Sequence, residues 1–205
     1  MSVRIEPMRA EDLEAVLTIE HASFSLPWTA DMFIGDLERD DLAEILVARW
    51  VEAGDPAPVV GFLCYWIVRE EMHINNLAVH PRWRRRGIAT ALLTESLTRA
   101  RSRGAGEAYL EVRVSNLAAQ ALYRRAGFTA AGTRRRYYAK PVEDAVIMRR
   151  TGALHFGQAR ISRSSLSIMA SPLCAAGSRL RAAKRPALPQ GPGTRGPPSG
   201  PRQYQ

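Results

Sequence analysis

One stretch decides the fold of this chain: Asn75-Asn76-Leu77-Ala78-Val79-His80-Pro81-Arg82-Trp83-Arg84-Arg85-Arg86-Gly87-Ile88-Ala89. It is typical of a strand end, a proline-marked turn, an arginine-rich loop and a helix start, because apolar residues recur at helical spacing after Gly87. A helix start offers unpaired N–H groups and the positive end of the helix dipole, and glycine lets a ligand approach the backbone closely. The stretch therefore predicts a site for a phosphorylated ligand. The alternative is a solvated basic turn before an ordinary amphipathic helix.

Outward from this stretch, strands and helices are predicted over the first 150 residues in the order β-α-α-β-β-β-α-β-α-β-β. The predicted strands are 3–6, 42–51, 59–69, 72–79, 107–114, 128–138 and 144–148. The predicted helices are 10–20, 29–37, 87–103 and 116–126, with Thr29 and Asn116 as N-caps and Gly127 as a C-terminal stop. Strict alternation in 107–114 places Leu110, Val112 and Val114 on one side and Glu111 on the other.

The charge of the chain is unevenly distributed. Of the 29 lysines and arginines, eight lie in residues 151–205, which contain no acid, so 21 remain against 20 acidic residues in 1–150. The same segment contains seven glycines and seven prolines. We therefore predict an α/β domain at 1–150 and a disordered basic tail at 151–205. The high overall basicity does not indicate a nucleic-acid-binding domain, although the tail could contact RNA.

The remaining composition limits the class of protein. The two cysteines, Cys64 and Cys174, do not predict a disulfide framework, and no spacing of Cys and His is typical of a metal site. No apolar run approaches the ~18 residues of a membrane span, and the N-terminus does not resemble a signal peptide. We expect a cytoplasmic protein that contacts no membrane.

Several short motifs appear in order across residues 1–150, and together they resemble the GNAT acetyltransferases, with most similarity to the ribosomal-protein-alanine N-acetyltransferases of the RimI type. Two positions depart from the usual pattern: Arg84 stands where the family often has Gln, and Ala89 where it often has Gly. The motifs are Phe24-Ser25-Leu26-Pro27-Trp28, Asn76-Leu77-Ala78-Val79, Arg84–Ala89, Leu110-Glu111-Val112-Arg113-Val114-Ser115-Asn116, Ala121-Leu122-Tyr123, Gly127-Phe128, Arg135-Arg136-Tyr137-Tyr138, Glu143-Asp144-Ala145 and Ile147-Met148.

The resemblance implies the GNAT fold, an α/β (α+β) fold with a mixed, mostly antiparallel sheet of six to seven strands, splayed central strands and about four helices. It implies acetyl-coenzyme A as co-substrate and no metal. The residues expected to bind the cofactor, mostly through their backbones, are Leu77, Ala78, Val79, Arg84, Arg85, Arg86, Gly87, Ile88, Ala89, Thr90 and Asn116.

The resemblance also assigns two catalytic roles. Acetyl transfer to an amine requires a base for the amine and an acid for the leaving thiolate. Glu111 would be the base, acting through water, and Tyr123 the acid. The residues alone favour Glu111 as a solvent-facing strand residue paired with Arg113, and Tyr123 as a half-buried core aromatic. Asn116 can be an N-cap and a cofactor ligand at once.

The implied acceptor is the N-terminal alanine of ribosomal protein bS18, with the protein as a monomer or weak dimer. Tyr137, Tyr138 and Glu143 are candidates for the wall that binds the peptide, or for ordinary packing at the sheet edge. Two alternatives stay open. One is a GNAT enzyme that acetylates lysine side chains or a small-molecule amine. The other is a non-catalytic protein that binds ribosomal RNA through its tail.

Overall fold

In a computed structural model, which describes residues 3–53 and 57–152, the chain forms a seven-stranded sheet with four helices. The strands are β1 Val3–Pro7, β2 Ala43–Trp50, β3 Val59–Val68, β4 Glu71–Val79, β5 Glu107–Arg113, β6 Thr129–Ala139 and β7 Val142–Thr151. The helices are α1 Leu13–His21, α2 Ala30–Leu37, α3 Ile88–Ser102 and α4 Leu117–Arg125. The predicted order of elements is confirmed. Cys174 and the predicted tail from residue 153 onward lie outside the described residues.

The sheet has the order β1-β2-β3-β4-β5-β7-β6, and every neighbouring pair is antiparallel except β4 and β5. A parallel pair needs a crossover connection, and here α3 provides it. The predicted mixed, mostly antiparallel sheet is therefore confirmed.

The parallel pair is formed over only half of its length. Residues 71–74 of β4 pair with residues 107–110 of β5, and the pairing then stops. Beyond that point β4 continues beside β3, and residues 111–113 of β5 continue beside β7. This is the predicted splay, and it leaves one edge of each strand without its neighbour.

Two apolar clusters cover the two faces of the sheet. Strand alternation sends Leu46 and Leu63 to one cluster and Val47 and Phe62 to the other. The first cluster is closed by α3 and α4, through residues such as Leu92, Leu97 and Tyr123. The second is closed by α1 and α2, through residues such as Val16, Ile19 and Phe33. The sheet is thus a middle layer between two pairs of helices.

The ends of the elements agree with local chemistry in most places. Asn116 caps α4 by accepting a hydrogen bond from the Ala119 N–H at 3.1 Å, and Gly127 follows α4 with a φ of +88°. Thr29 occupies the N-cap position of α2 without a side-chain hydrogen bond. Val114 was predicted to share one side of the strand with Leu110 and Val112, which are buried. It does not, because β5 ends at Arg113, and Val114 is 45% exposed. Across 3–53 and 57–152, no helix is both long and apolar enough to cross a bilayer.

Candidate active site

A cavity of about 600 Å³ lies against the part of β4 that has left β5. Its walls come from β4, the arginine-rich loop, the first turn of α3, one side of α4 and the loop after α1. Ten of the eleven residues predicted to bind the cofactor line it: Leu77, Ala78, Val79, Arg84, Arg85, Gly87, Ile88, Ala89, Thr90 and Asn116. The residues that the sequence assigns to the cofactor therefore come together at one cavity.

The first turn of α3 opens onto the cavity. Gly87 occupies the N-cap position with a φ of +76°, a left-handed conformation that favours glycine. Because glycine has no side chain, nothing at this position caps the N–H groups of α3. The N–H groups of the first turn therefore have no partner within the helix. Because Ala89 and Thr90 also line the cavity, this turn presents amide hydrogens and the positive end of the dipole to a ligand.

The loop arginines have different surroundings. Arg84 donates from Nε to the Val79 carbonyl at 3.0 Å and from Nη2 to Ser23 Oγ at 3.4 Å, so it joins β4 to the loop after α1. Arg85 lines the cavity and has a φ of +62°. Arg86 does not line it, because its guanidinium packs over the rings of Trp50 and Trp83. A cofactor contact by the Arg86 side chain would require it to leave this cation–π arrangement.

The strand wall of the cavity depends on Gly61 of β3, which pairs with Val79. A Cβ at Gly61 would lie 3.0 Å from the Ala78 carbonyl oxygen and 3.3 Å from Ile88 Cγ2. The absence of a side chain therefore lets β3, β4 and α3 come together at the cavity.

Tyr123 also lines the cavity, from α4. It is 8% exposed and packs edge-on against Phe128, with ring centroids 5.8 Å apart. Burial raises the pKa of its hydroxyl well above the usual value, so the phenol stays protonated through the neutral range. The interpretation as a half-buried aromatic and the interpretation as a proton donor are compatible with this position.

Glu111 lies outside the cavity lining, on the segment of β5 beyond the last pair with β4. Its carboxylate forms an ion pair with Arg134 Nη2 at 3.2 Å, and its backbone carbonyl accepts a hydrogen bond from the Tyr138 hydroxyl at 3.3 Å. The expected alternative partner, Arg113, instead pairs with Glu143 at 3.0 Å. That alternative was wrong because Arg113 and Glu143 meet across the β5–β7 pair.

The faces of β5 separate the two catalytic candidates. Leu110 and Val112 belong to the cluster covered by α3 and α4, so Glu111 faces the side of α1 and α2. Tyr123 comes from α4 on the other side. A single reaction can involve both residues only where β4 and β5 have separated.

The predicted peptide wall lies on the same side of the sheet as Glu111. Tyr138 is 4% exposed, with the Arg113 guanidinium 4.1 Å from its ring centroid, and Tyr137 packs edge-on against Tyr138. Glu143 accepts hydrogen bonds from the Ser115 N–H at 2.6 Å and from Arg113. The Ser115 N–H and the Ser115 side chain, followed by Arg113, lower the pKa of Glu143 below its usual value. None of these three candidates lines the cavity.

Two residues near the site were not predicted. The Glu20 carboxylate is fully buried, accepting hydrogen bonds from the Trp28 N–H at 2.9 Å and from Asn76 Nδ2 at 3.1 Å. It therefore ties the loop after α1 to β4. An acid at an apolar spacing of α1 was a signal for such a role. The other residue is Arg125 at the end of α4, which lines the cavity and gave no signal of its own.

Among the residues that the structure describes, the charged side chains that line the cavity are Arg84, Arg85 and Arg125, and no carboxylate accompanies them. Such a lining suits an anionic ligand. Within 3–53 and 57–152, no three His, Cys, Asp or Glu side chains are grouped to hold a metal ion.

Comparisons with known proteins agree with this geometry. The model of the Acetyltransferase (GNAT) family matches residues 13–128. The ribosomal protein bS18-alanine N-acetyltransferase of Salmonella typhimurium is 35% identical over 146 residues, which cover 70% of this chain and 94% of that protein. The N-alpha-acetyltransferase RimI of Mycobacterium tuberculosis is 48% identical over 80 residues, 39% of this chain and 49% of that protein.

Solved structures give the same result. The crystal structure of the ribosomal-protein-S18-alanine N-acetyltransferase from Escherichia coli matches with a TM-score of 0.66 and 28% identity, covering 79% of this chain and 100% of that one. Ard1 from Thermoplasma volcanium matches with a TM-score of 0.66 and 26% identity, covering 74% and 99%.

Proposed function

The chain belongs to the GNAT acetyltransferase family, and we propose that it transfers the acetyl group of acetyl-coenzyme A to the N-terminal alanine of ribosomal protein bS18. The observation that carries this proposal is the relationship over nearly the whole length of enzymes named for that reaction. The cationic cavity beside the open half of β4 supports it independently, since coenzyme A is an anionic ligand. We place the catalytic domain in residues 1–150.

Coenzyme A fits the residues that are present. The uncapped first turn of α3 would hold its diphosphate, and the free edge of β4 at residues 77–79 would hydrogen-bond the arm that carries the acetyl group. Bound acetyl-coenzyme A supplies an acetyl group activated as a thioester. N–H groups of the free strand edge, pointing at the thioester oxygen, would stabilise the negative charge that develops there.

The protons of the reaction then have named destinations. Nitrogen–carbon bond formation releases a proton from the amine, and the Glu111 carboxylate accepts it through water. Carbon–sulfur bond cleavage produces a thiolate, and the Tyr123 hydroxyl donates the proton that it needs. Both roles are compatible with the positions described above, because the open half of the β4–β5 pair connects the two faces of the sheet.

An α-amine is the acceptor that this arrangement suits. The reference pKa of an α-amine is about 8 and that of lysine about 10.4, so the α-amine is deprotonated at neutral pH at roughly 3 kcal/mol lower cost. A carboxylate acting through water can manage that task. The Tyr137, Tyr138 and Glu143 group, on the same side as Glu111, is the proposed wall for the peptide.

The test is transfer from isotope-labelled acetyl-coenzyme A to a bS18 peptide that begins with alanine and contains an internal lysine. Mass spectrometry should place the acetyl group on the α-amine, and a matched peptide with a blocked N-terminus should remain unmodified. Acetylation of the lysine in the blocked peptide, without modification of the free α-amine, would contradict the proposal.

A further inference from the structure

The arginines that line the cavity come from two separate elements. Arg84 and Arg85 belong to the loop before α3, whereas Arg125 comes from the last turn of α4. A single diphosphate at the start of α3 accounts for the loop arginines. It does not account for a cation at the far end of another wall.

Two of these guanidiniums are available to a ligand. Arg84 already donates to the Val79 carbonyl and to Ser23. Arg85 and Arg125 are exposed, and neither forms a hydrogen bond, an ion pair or a ring contact with any residue of the described part of the chain. Arg124, one position before Arg125, differs: it donates to Gln120 Oε1 at 3.0 Å and does not line the cavity.

The shape of α4 explains why Arg125 reaches the cavity. Ala118, Leu122 and Arg125 are spaced i, i+4 and i+7, so they share one face of the helix, and all three line the cavity. Leu117 and Arg125 are separated by eight helical steps, roughly 12 Å along the axis. Arg125 therefore stands at the opposite end of α4 from Asn116, which also lines the cavity.

We propose that Arg125 binds the ribose 3′-phosphate of coenzyme A, while Arg85 and the first turn of α3 bind its diphosphate. This inference rests on the proposed function. Coenzyme A carries two separate phosphorylated groups, and the cavity has two separate cationic elements. A phosphate monoester carries roughly −1.5 to −2 charges at neutral pH, and a guanidinium can donate two parallel hydrogen bonds to it.

The consequence is a cofactor preference that depends on one residue. The protein should bind coenzyme A about tenfold more tightly than 3′-dephospho-coenzyme A, since hydrogen bonds to charged groups contribute that much at a partly solvated site. Arg125→Gln should weaken coenzyme A binding about tenfold, leave 3′-dephospho-coenzyme A binding unchanged, and so abolish the preference.

The experiment is calorimetric titration of the full chain with both compounds, for wild type and three variants. Arg124→Gln is the matched control, because it removes the same charge from the adjacent position and should keep the wild-type preference. Arg85→Gln should weaken both compounds by the same factor, since both contain the diphosphate.

Two results would overturn the inference alone: an unchanged preference in Arg125→Gln, or an equal loss of preference in Arg124→Gln, which would indicate long-range charge only. A wild-type protein that binds neither compound would overturn the proposed function, and this inference with it.

Discussion

The two halves of the β4–β5 pair have the same strands but different surroundings. Over residues 71–74 and 107–110 the strands hydrogen-bond to each other, and that half is ordinary sheet. Over 75–79 and 111–113 they do not, and β4 lines a cavity instead. Buried backbone groups rarely remain without partners. The backbone N–H and C=O groups of the open half are therefore expected to bond to water or to a ligand. The hydrogen bonds of the paired half fix the two strands beside each other where the separation begins.

The largest effect is expected when two carboxylates of β5, one in each half, are compared. Glu107 and Glu111 lie on the same side of the strand, one in the paired half and one in the open half. Glu111→Gln should lower kcat about a thousandfold, within the range of general acid–base catalysis, because an amide cannot accept the proton. The coenzyme A dissociation constant should stay unchanged, and steady-state kinetics with calorimetry measures both quantities.

Glu107→Gln is the matched control for that experiment. Glu107 pairs with Arg149 and accepts from the Tyr109 hydroxyl, so its loss should affect stability slightly and turnover hardly at all. Equal slowing by both substitutions would show that the distinction between the halves has no catalytic meaning.

A smaller effect is expected when a tyrosine that lines the cavity is compared with a tyrosine in the paired half of β5. Tyr123→Phe removes one hydroxyl and keeps the packing against Phe128. It should lower kcat about a hundredfold if the hydroxyl protonates the thiolate. Tyr109→Phe, in the paired half, removes a hydroxyl that bonds to Glu107 and should keep near-normal turnover. A normal rate in Tyr123→Phe would mean that Tyr123 is only a core aromatic.

The next effect tests how the open half is positioned. Gly61→Ala would press a methyl group against the Ala78 carbonyl and should cost about 1–3 kcal/mol of unfolding free energy, as overpacking does. It should also weaken coenzyme A binding, since Ala78 lines the cavity.

The control is Gly132→Ala, where a new Cβ would lie 3.6 Å from Ile147 Cδ1, an ordinary contact. Urea denaturation should give a change within about 0.5 kcal/mol for it. If Gly61→Ala behaves like this control, the close approach of β3 is not what positions β4.

The smallest effect is expected in the pH dependence of stability, through the Glu143 carboxylate that bonds to Arg113 and Ser115 at the open half of β5. The Ser115 N–H and Arg113 lower the pKa of Glu143 in the folded protein. Its contribution to stability should therefore be present above the unfolded carboxyl pKa of about 4.3, and be lost as the pH falls through the lower folded value. Wild type should be slightly more stable than Glu143→Gln at pH 7, and this advantage should shrink as the pH falls below the carboxyl range. A difference that does not change with pH in urea titrations would contradict this linkage.

The sequence predicted the order of elements and the phosphate-binding start of α3, because both depend on local patterns. Apolar periodicity identifies strands and helices, and a glycine after an arginine-rich turn identifies the start of α3. The family resemblance supplied the splay, which side chains such as Leu77 and Val79 do not reveal, since they are ordinary strand residues.

The side-chain partners could not be predicted, because they depend on distant elements. Arg86 packs over Trp50 of β2 rather than entering the cavity. Glu111 pairs with Arg134 of β6, not with the nearby Arg113. Arg124 and Arg125 are adjacent and carry the same group, but they occupy different faces of α4: Arg124 bonds to Gln120, and Arg125 lines the cavity. Glu20 differs, because an acid on the apolar face of α1 is visible in the sequence and indicates a buried polar contact.

The measurement that tests the difference between the halves most directly is amide hydrogen exchange, followed by mass spectrometry, with and without saturating coenzyme A. Amides of residues 75–79 and 87–90 should exchange more slowly with the ligand, because they acquire hydrogen-bond acceptors, while those of 71–74 and 107–110 should not change. Protection of the paired half, or ligand binding without protection of 75–79 and 87–90, would contradict the claim that the open edge of β4 and the start of α3 form the cofactor site.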